Sequence, residues 1–271
     1  CGRRDKSTRR QEIYSPGVRE MRGEKSGERA GRGNSKISGG DGLNLDFELH
    51  YQPIFHAHSL NEPLGYEALL RPRSGDSPIE ALQVATKQNL LDLWELLIFE
   101  RAVDEVLVRE SCMVFINLTG KSFLRRDFIA KVERVLKNRG VATSRICIEI
   151  SEQQITECTV LAEIINAWVE RGFFIALDDF GAGASNFDVL MSCHLDYVKI
   201  DRVLINGIAE NTARQRLLSS IVETIVRHSI YPIFEGVENP KDLQWLLDRG
   251  WDAGIQGFAL GKPAPLGKER K

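Results

Sequence analysis

Short runs rich in β-branched and aromatic residues recur along this chain from Leu45 onward. Most are separated by longer stretches whose apolar residues fall three and four apart. The short runs are Phe47–Phe55, Gly65–Arg71, Met113–Leu118, Ile146–Ile150, Phe174–Asp179, Tyr197–Asp201, Tyr231–Val237 and Gly254–Gly257. Helical spacing is clearest over Phe123–Leu136, Val160–Val169, Leu217–Val226 and Leu243–Leu247. Strands alternating with helices predict βα units on a mostly parallel sheet. The first two runs break that rule. Their link, Asn61–Gly65, is turn-like and too short for a helical crossover, so the pair must be antiparallel. The pattern predicts an α/β fold, a TIM-type (β/α)8 barrel with an antiparallel first strand. The 271 residues suit such a barrel, which takes about 250.

Residues 1–43 stand apart, rich in Arg, Gly, Ser and Glu with almost no apolar periodicity. Such a stretch buries too little surface to offset the entropy of ordering it, which predicts a disordered, basic, Gly-rich leader before a folded domain at 44–271. It has no apolar segment of the kind a signal peptide needs. The first residue is Cys rather than Met, which reads as a fragment or processed product, with Met21 as an alternative start. No run of eighteen apolar residues occurs, so no membrane-spanning helix is expected.

Charge sharpens the division. Residues 1–46 hold 11 Lys and Arg against 7 Asp and Glu, leaving 25 against 31 in the remainder. An acidic domain is poorly suited to long nucleic acid, whose binding leans on many basic contacts to phosphate. Phosphate chemistry here falls to a few Arg and Lys or to metal ions. The cysteines Cys1, Cys112, Cys147, Cys158 and Cys193 form no C-x-x-C pair, and four lie in apolar or periodic segments. Reduced buried thiols and a cytoplasmic location follow. His56 and His58 sit at a strand-to-turn boundary, where a metal role is set aside.

The acids carry the chemistry. Glu67 lies in the second strand, Asn117 ends the third, Glu149 and Glu152 the fourth, and Asp178-Asp179 the fifth. Lys199 and Asp201 close the sixth and Glu235 the seventh. In a (β/α) barrel these strand ends meet around one mouth, where active sites are built. A single polar residue at a strand end is commonly just a helix cap; so many, gathered on six strands, are not. Carboxylates so gathered repel one another unless cations hold them, and a carboxylate and amide set without Cys or His suits Mg²⁺ or Mn²⁺. The adjacent Asp178 and Asp179 offer a bridge between two ions. Lys199, between apolar strand residues, needs anionic partners that the acids would supply.

These residues resemble the EAL-domain family. Glu67-Ala68-Leu69-Leu70-Arg71 matches its naming motif, preceded by Tyr51-Gln52-Pro53-Ile54. Asn117-Leu118-Thr119, Glu149-Ile150-Ser151-Glu152 and Asp178-Asp179-Phe180-Gly181-Ala182-Gly183 follow in order. Lys199-Ile200-Asp201-Arg202, Glu235-Gly236-Val237-Glu238, Gln256-Gly257 and Gly261-Lys262-Pro263 complete the series, at family-like spacing over about residues 45–266.

The resemblance implies hydrolysis of cyclic di-GMP to linear 5′-pGpG by water, assisted by two Mg²⁺ or Mn²⁺ ions. It implies Glu67, Asn117, Glu149 and Asp178 around the first ion and Asp178 and Asp179 on the second, with Glu235 beside it. It gives Lys199 contact with the attacking water, and substrate contacts to Arg71 (phosphate), Gln52 (guanine), Asp201 and Gln256. Glu152 would anchor the loop after strand five, and a homodimer is expected. The chain departs from the family at a shorter stretch after Arg71 and at Ala182 and Ala184, where Thr and an aromatic residue are frequent. Two alternatives stand beside this reading. One is a catalytically weak EAL module acting as a cyclic di-GMP receptor or protein-interaction domain. The other is an enolase-like Mg²⁺ lyase, which has no use for the Asp178-Asp179 pair.

Overall fold

The computed structural model describes residues 46–107, 112–151, 158–183 and 187–266. The expected leader, residues 1–43, and Glu152 fall outside them. Eight strands close into a barrel in chain order: β1 (Phe47–His56), β2 (Ser59–Pro72), β3 (Met113–Asn117), β4 (Ile146–Ser151), β5 (Phe174–Phe180), β6 (Tyr197–Ile200), β7 (Tyr231–Phe234) and β8 (Gly254–Ile255). Strand β1 runs antiparallel to both neighbours, β2 and β8, while the other adjacent pairs are parallel. The predicted fold class therefore holds.

The parallel strands read as unbroken apolar runs, Met113-Val114-Phe115-Ile116 for example, because helices cover one face and the barrel interior the other. Alternate positions share a face. The inward column of β3 is Phe115 then Asn117, that of β4 Cys147 then Glu149, and that of β6 Tyr197 then Lys199. In the lower layer Tyr197 packs edge-on against Phe115, Phe174 and Tyr231, with ring centroids 5.3, 6.0 and 5.9 Å apart. Polar residues form the layer above. The aromatic layer closes the barrel floor and leaves the polar groups only the mouth.

The helices follow the strands: α1 (Pro78–Lys87), α2 (Leu91–Ala102), α3 (Gly120–Phe123), α4 (Arg126–Arg139), α5 (Cys158–Val169), α6 (Phe187–Ser192), α7 (Arg202–Ile205), α8 (Thr212–Arg227) and α9 (Pro240–Leu247). Local signals set their ends. Ser77 and Glu80 exchange capping hydrogen bonds at the start of α1, with Pro78 in the first turn. Gly140 ends α4 in the left-handed conformation, φ 67°. No described helix is long and apolar enough to cross a membrane.

The structure corrects the reading in four places. The first hairpin turns at Ala57-His58, not over Asn61–Gly65, which belongs to β2. Register shifts after Ile54 and Phe55 absorb the extra residues. Pro63 is accommodated because β2 does not pair with β3 until Gly65. The segment Phe123–Leu136 is two helices, separated at Leu124-Arg125. Strands β7 and β8 are shorter than expected, so Glu235 and Gln256 stand just past their ends. Finally, α1 and α2 were not among the helical stretches identified, although Ser77-Pro78-Ile79-Glu80 is a capping-box signal. Of the cysteines, Cys147 and Cys193 are buried and Cys112 is half-buried.

Candidate active site at the barrel mouth

Lys199 anchors the polar layer. Its side chain is only 1% exposed, and Nζ lies 2.8 Å from Glu149 Oε1, 2.8 Å from Glu235 Oε1, 3.0 Å from Asp178 Oδ1 and 3.4 Å from Glu67 Oε2. An ammonium has three N–H donors, and four carboxylates surround this one. Not every oxygen can be served: Glu149 Oε1 and Asp178 Oδ1 are buried without a well-directed hydrogen bond. Asn117 adds donors from β3, its Nδ2 lying 3.0 Å from Glu67 Oε1 and 2.8 Å from Glu149 Oε2.

Burial and charge compete here. Burial alone would lower the Lys199 pKa, but Asp178, Glu149, Glu235 and Glu67 together push it well above the usual lysine range. For Glu149 and Glu235 burial prevails, and both carboxyls are raised well above ordinary values despite the adjacent Lys199. Asp179 is raised to about 6, first by burial and then by the charge of Asp178. The cluster is short of positive charge.

A local distortion of β5 brings the adjacent aspartates together. In a regular strand they would face opposite sides. Here the β5–β6 register slips between Leu177 and Phe180, and Asp179 takes a left-handed conformation, φ 58°. Such strain in a non-glycine residue concentrates where function holds it. Carboxylate oxygens of Asp178, Asp179 and Glu235 consequently lie within 4.8 Å of one another, as do those of Glu67, Glu149 and Asp178. Asp178 belongs to both groups. This donor set suits hard divalent cations: oxygen ligands, excess negative charge and two acidic oxygens that lack a directed donor.

The remaining candidate residues surround this centre. Gln256, past β8, donates from Nε2 to Glu67 Oε2 at 2.7 Å and lies 3.4 Å from Gln52 Oε1. Gln52 donates to the Gly261 carbonyl at 3.1 Å. A Cβ on Gly257 would fall 2.2 Å from the Val237 carbonyl oxygen, so only glycine lets these two loops cross behind Gln256. Arg71 donates to the Leu70 carbonyl of its own strand at 2.8 Å. Asp201 caps α7 by accepting from the Val203 N–H at 2.8 Å. His56 bonds the Tyr231 hydroxyl at 2.8 Å, away from the acids.

Comparison with known proteins decides the family, since the model described as EAL domain matches residues 42–263. The chain belongs to the EAL-domain family. A relative named "Probable cyclic di-GMP phosphodiesterase PdeN", from Escherichia coli strain K12, is 30% identical over 230 residues, covering 81% of this chain and 44% of that protein. A standalone versatile EAL protein from Vibrio cholerae O395, solved with c-di-GMP bound, superposes with TM-score 0.72 at 25% identity over 82% of this chain and 94% of that one. The PaMucR phosphodiesterase in complex with c-di-GMP gives TM-score 0.71 at 26% identity, over 81% and 92% of the two chains. The present EAL chain spans less than half the length of the curated relatives it matches.

Sequence reading passed over Glu95. It is 3% exposed on α2 and accepts from the Thr119 N–H at 2.7 Å and its hydroxyl at 3.1 Å. Its signal was available, since it is a charged residue on the apolar face shared with Leu91 and Phe99.

Proposed function

We propose that this EAL chain is a metal-dependent phosphodiesterase that opens cyclic di-GMP to linear 5′-pGpG and so lowers the level of that second messenger. The observation that carries the reading is the pair of carboxylate triads that share Asp178 around Lys199 at the barrel mouth. The names of the relative and the two solved structures support the choice of substrate.

In this reading Glu67, Asn117, Glu149 and Asp178 would hold one Mg²⁺ or Mn²⁺, and Asp178, Asp179 and Glu235 the other. Such ions, when bound, supply positive charge that lowers the pKa of water and offsets charge gathering on phosphate. Lys199 donates a hydrogen bond that orients the attacking water. The water oxygen bonds to phosphorus as the P–O3′ bond breaks, and a proton passes to the 3′-oxygen, leaving a 3′-hydroxyl and a 5′-phosphate. Arg71 pairs with a phosphate oxygen, and Gln52 and Gln256 offer amides to guanine. Asp201 faces the substrate from the head of α7, and the role the family resemblance would give Glu152 is to anchor the loop after β5.

The catalytic unit in this reading is residues 44–271, acting as a cytoplasmic homodimer. Exposed Phe187 and Met191 on α6 and Val160 on the adjoining α5 support self-association, and sedimentation velocity reads it. The deciding experiment is incubation with cyclic di-GMP and Mg²⁺ or Mn²⁺, with products separated by chromatography. Linear dinucleotide that disappears in excess chelator is expected. Binding without turnover would replace the enzyme with a receptor, and full activity in chelator would remove the metals from the mechanism.

A further inference from the structure

Glu95 poses an energetic question. Its carboxyl is 3% exposed on the face of α2 that also buries Leu91, Ile98 and Phe99, where an aliphatic side chain would pack without desolvating a charge. Burial raises its pKa, opposed by hydrogen bonds from Ser122 and Thr119, while Asp92 adds repulsion. No cation pairs with it among the described contacts. A buried acid that gains so little for stability is explained by what it holds.

What it holds is the turn that leaves β3. Glu95 Oε1 takes the Thr119 N–H and Oε2 takes the Thr119 hydroxyl, a two-point clamp on one residue. Thr119 is the N-cap of α3, where its hydroxyl would ordinarily accept from the first turn. No such capping bond is made. The hydroxyl serves the clamp instead. One residue earlier, the Leu118 N–H is fixed to the Glu149 carbonyl of β4 at 3.2 Å. Asn117 therefore sits at the head of a segment held from two sides. Its carboxamide reaches both Glu67 and Glu149, so its place sets the spacing of two carboxylates on different strands.

We propose that Glu95 is a positioning residue for the cation site, acting through Thr119 to fix the Asn117 carboxamide between Glu67 and Glu149. This rests on the proposed function only for the consequence in metal binding; the fixing of Asn117 stands without it. Partners that orient metal-binding groups in this way are typically worth about 10–100-fold in metal affinity.

The test compares native chain with Glu95→Leu, Glu95→Gln and Thr119→Val. Mn²⁺ is titrated calorimetrically without substrate, and the Asn117 side-chain amide is followed by NMR in chelated protein. Glu95→Leu is expected to weaken Mn²⁺ binding roughly tenfold and to shift or broaden the Asn117 amide pair, with the melting temperature nearly kept. Glu95→Gln should restore both, since its oxygen can accept the N–H while its NH₂ donates to a reversed Thr119 hydroxyl. Thr119→Val keeps the fold and removes one clamp point, so it should show the same changes, smaller; it decides the matter if Glu95→Leu does not fold. An unmoved Asn117 amide and unchanged Mn²⁺ binding, with only a lower melting temperature, would overturn the inference and leave Glu95 a structural acid. A native chain that binds no Mn²⁺ would refute the metal reading, while the amide signals would still judge the clamp.

Discussion

At the scale of single residues, Glu67 and Glu149 are each claimed by more than one neighbour, which makes substitutions specific. Glu67 accepts from Asn117 and Gln256. In Glu67→Gln an NH₂ group would meet one of those donors, but Gln256 can turn its amide, whose Oε1 has no hydrogen-bond partner. The fold should survive. Turnover should fall below detection while the melting temperature stays within a few degrees; a native rate with a native melting curve would remove Glu67 from the ligands. For Lys199 the question is orientation of water against simple counter-charge. A group that acts chiefly in the transition state affects kcat far more than KM. At saturating Mn²⁺, Lys199→Ala is expected to lower kcat by about 10²–10⁴ with KM changed little. A near-native kcat there would make Lys199 only the counter-ion of Glu149, Asp178 and Glu235.

At the scale of elements, the slip in β5 does what no regular strand can. It makes sequence neighbours Asp178 and Asp179 spatial partners, and it does so with a left-handed aspartate. Asparagine tolerates that conformation as well, so Asp179→Asn should keep the slip while removing a charge that the site resists. We expect the chelated variant to melt higher than native protein at pH 8 and to bind Mn²⁺ more weakly. A lower melting temperature would mean that the Asp179 charge supports the fold. This element also marks the limit of what the sequence shows. The pattern of short apolar runs placed Glu67, Asn117, Glu149 and Lys199 on strands, because buried parallel strands advertise themselves as apolar runs broken by one polar residue. It could not say that Asp178 and Asp179 face the same way, since alternation argues the opposite. Nor could it locate the first turn. Pro63 and Gly65 look like a turn, and only pairing with β1 shows that a bulged strand accommodates them. Glu95 was visible as a charge on an apolar helix face, but what it holds was not, since its partner Thr119 is 24 positions away and joined only by tertiary contact.

At the scale of the molecule, the crowded acids link stability to pH and to cations. Glu149, Glu235 and Asp179 all have folded-state pKa values above their unfolded ones. The folded protein therefore holds protons that the unfolded chain has released. The stability this contributes is complete below the ordinary carboxylate range and is lost as pH rises through the folded values, about 6 for Asp179. The raised Lys199 pKa acts only above the ordinary lysine range. In chelator the melting temperature should accordingly fall between pH 6 and pH 8, and Mn²⁺ should reverse the fall by binding the ionised native site. A melting temperature that rises over this interval would contradict the shifts.

The barrel closes through β8, a strand of two residues, Gly254 and Ile255, with single backbone bonds at Ala253 to Ala57 and at Gln256 to Phe234 and Val237 on either side. Protein structures open first where few hydrogen bonds must break, and this staves-and-hoop arrangement has one narrow stave. Amide exchange near Gly254–Gln256 should outpace that in β3–β5, at a rate set by local opening rather than by global unfolding. Each opening would part Gln256 from Glu67 and Gln52, side-chain contacts that span the closure beside the backbone bond from Ala57 to Ala253. If exchange there is as slow as in β4, the seam is no weaker than the rest. If it is fast, a molecule filling the mouth should slow it, and the barrel's least-laced edge becomes a natural gauge of occupancy.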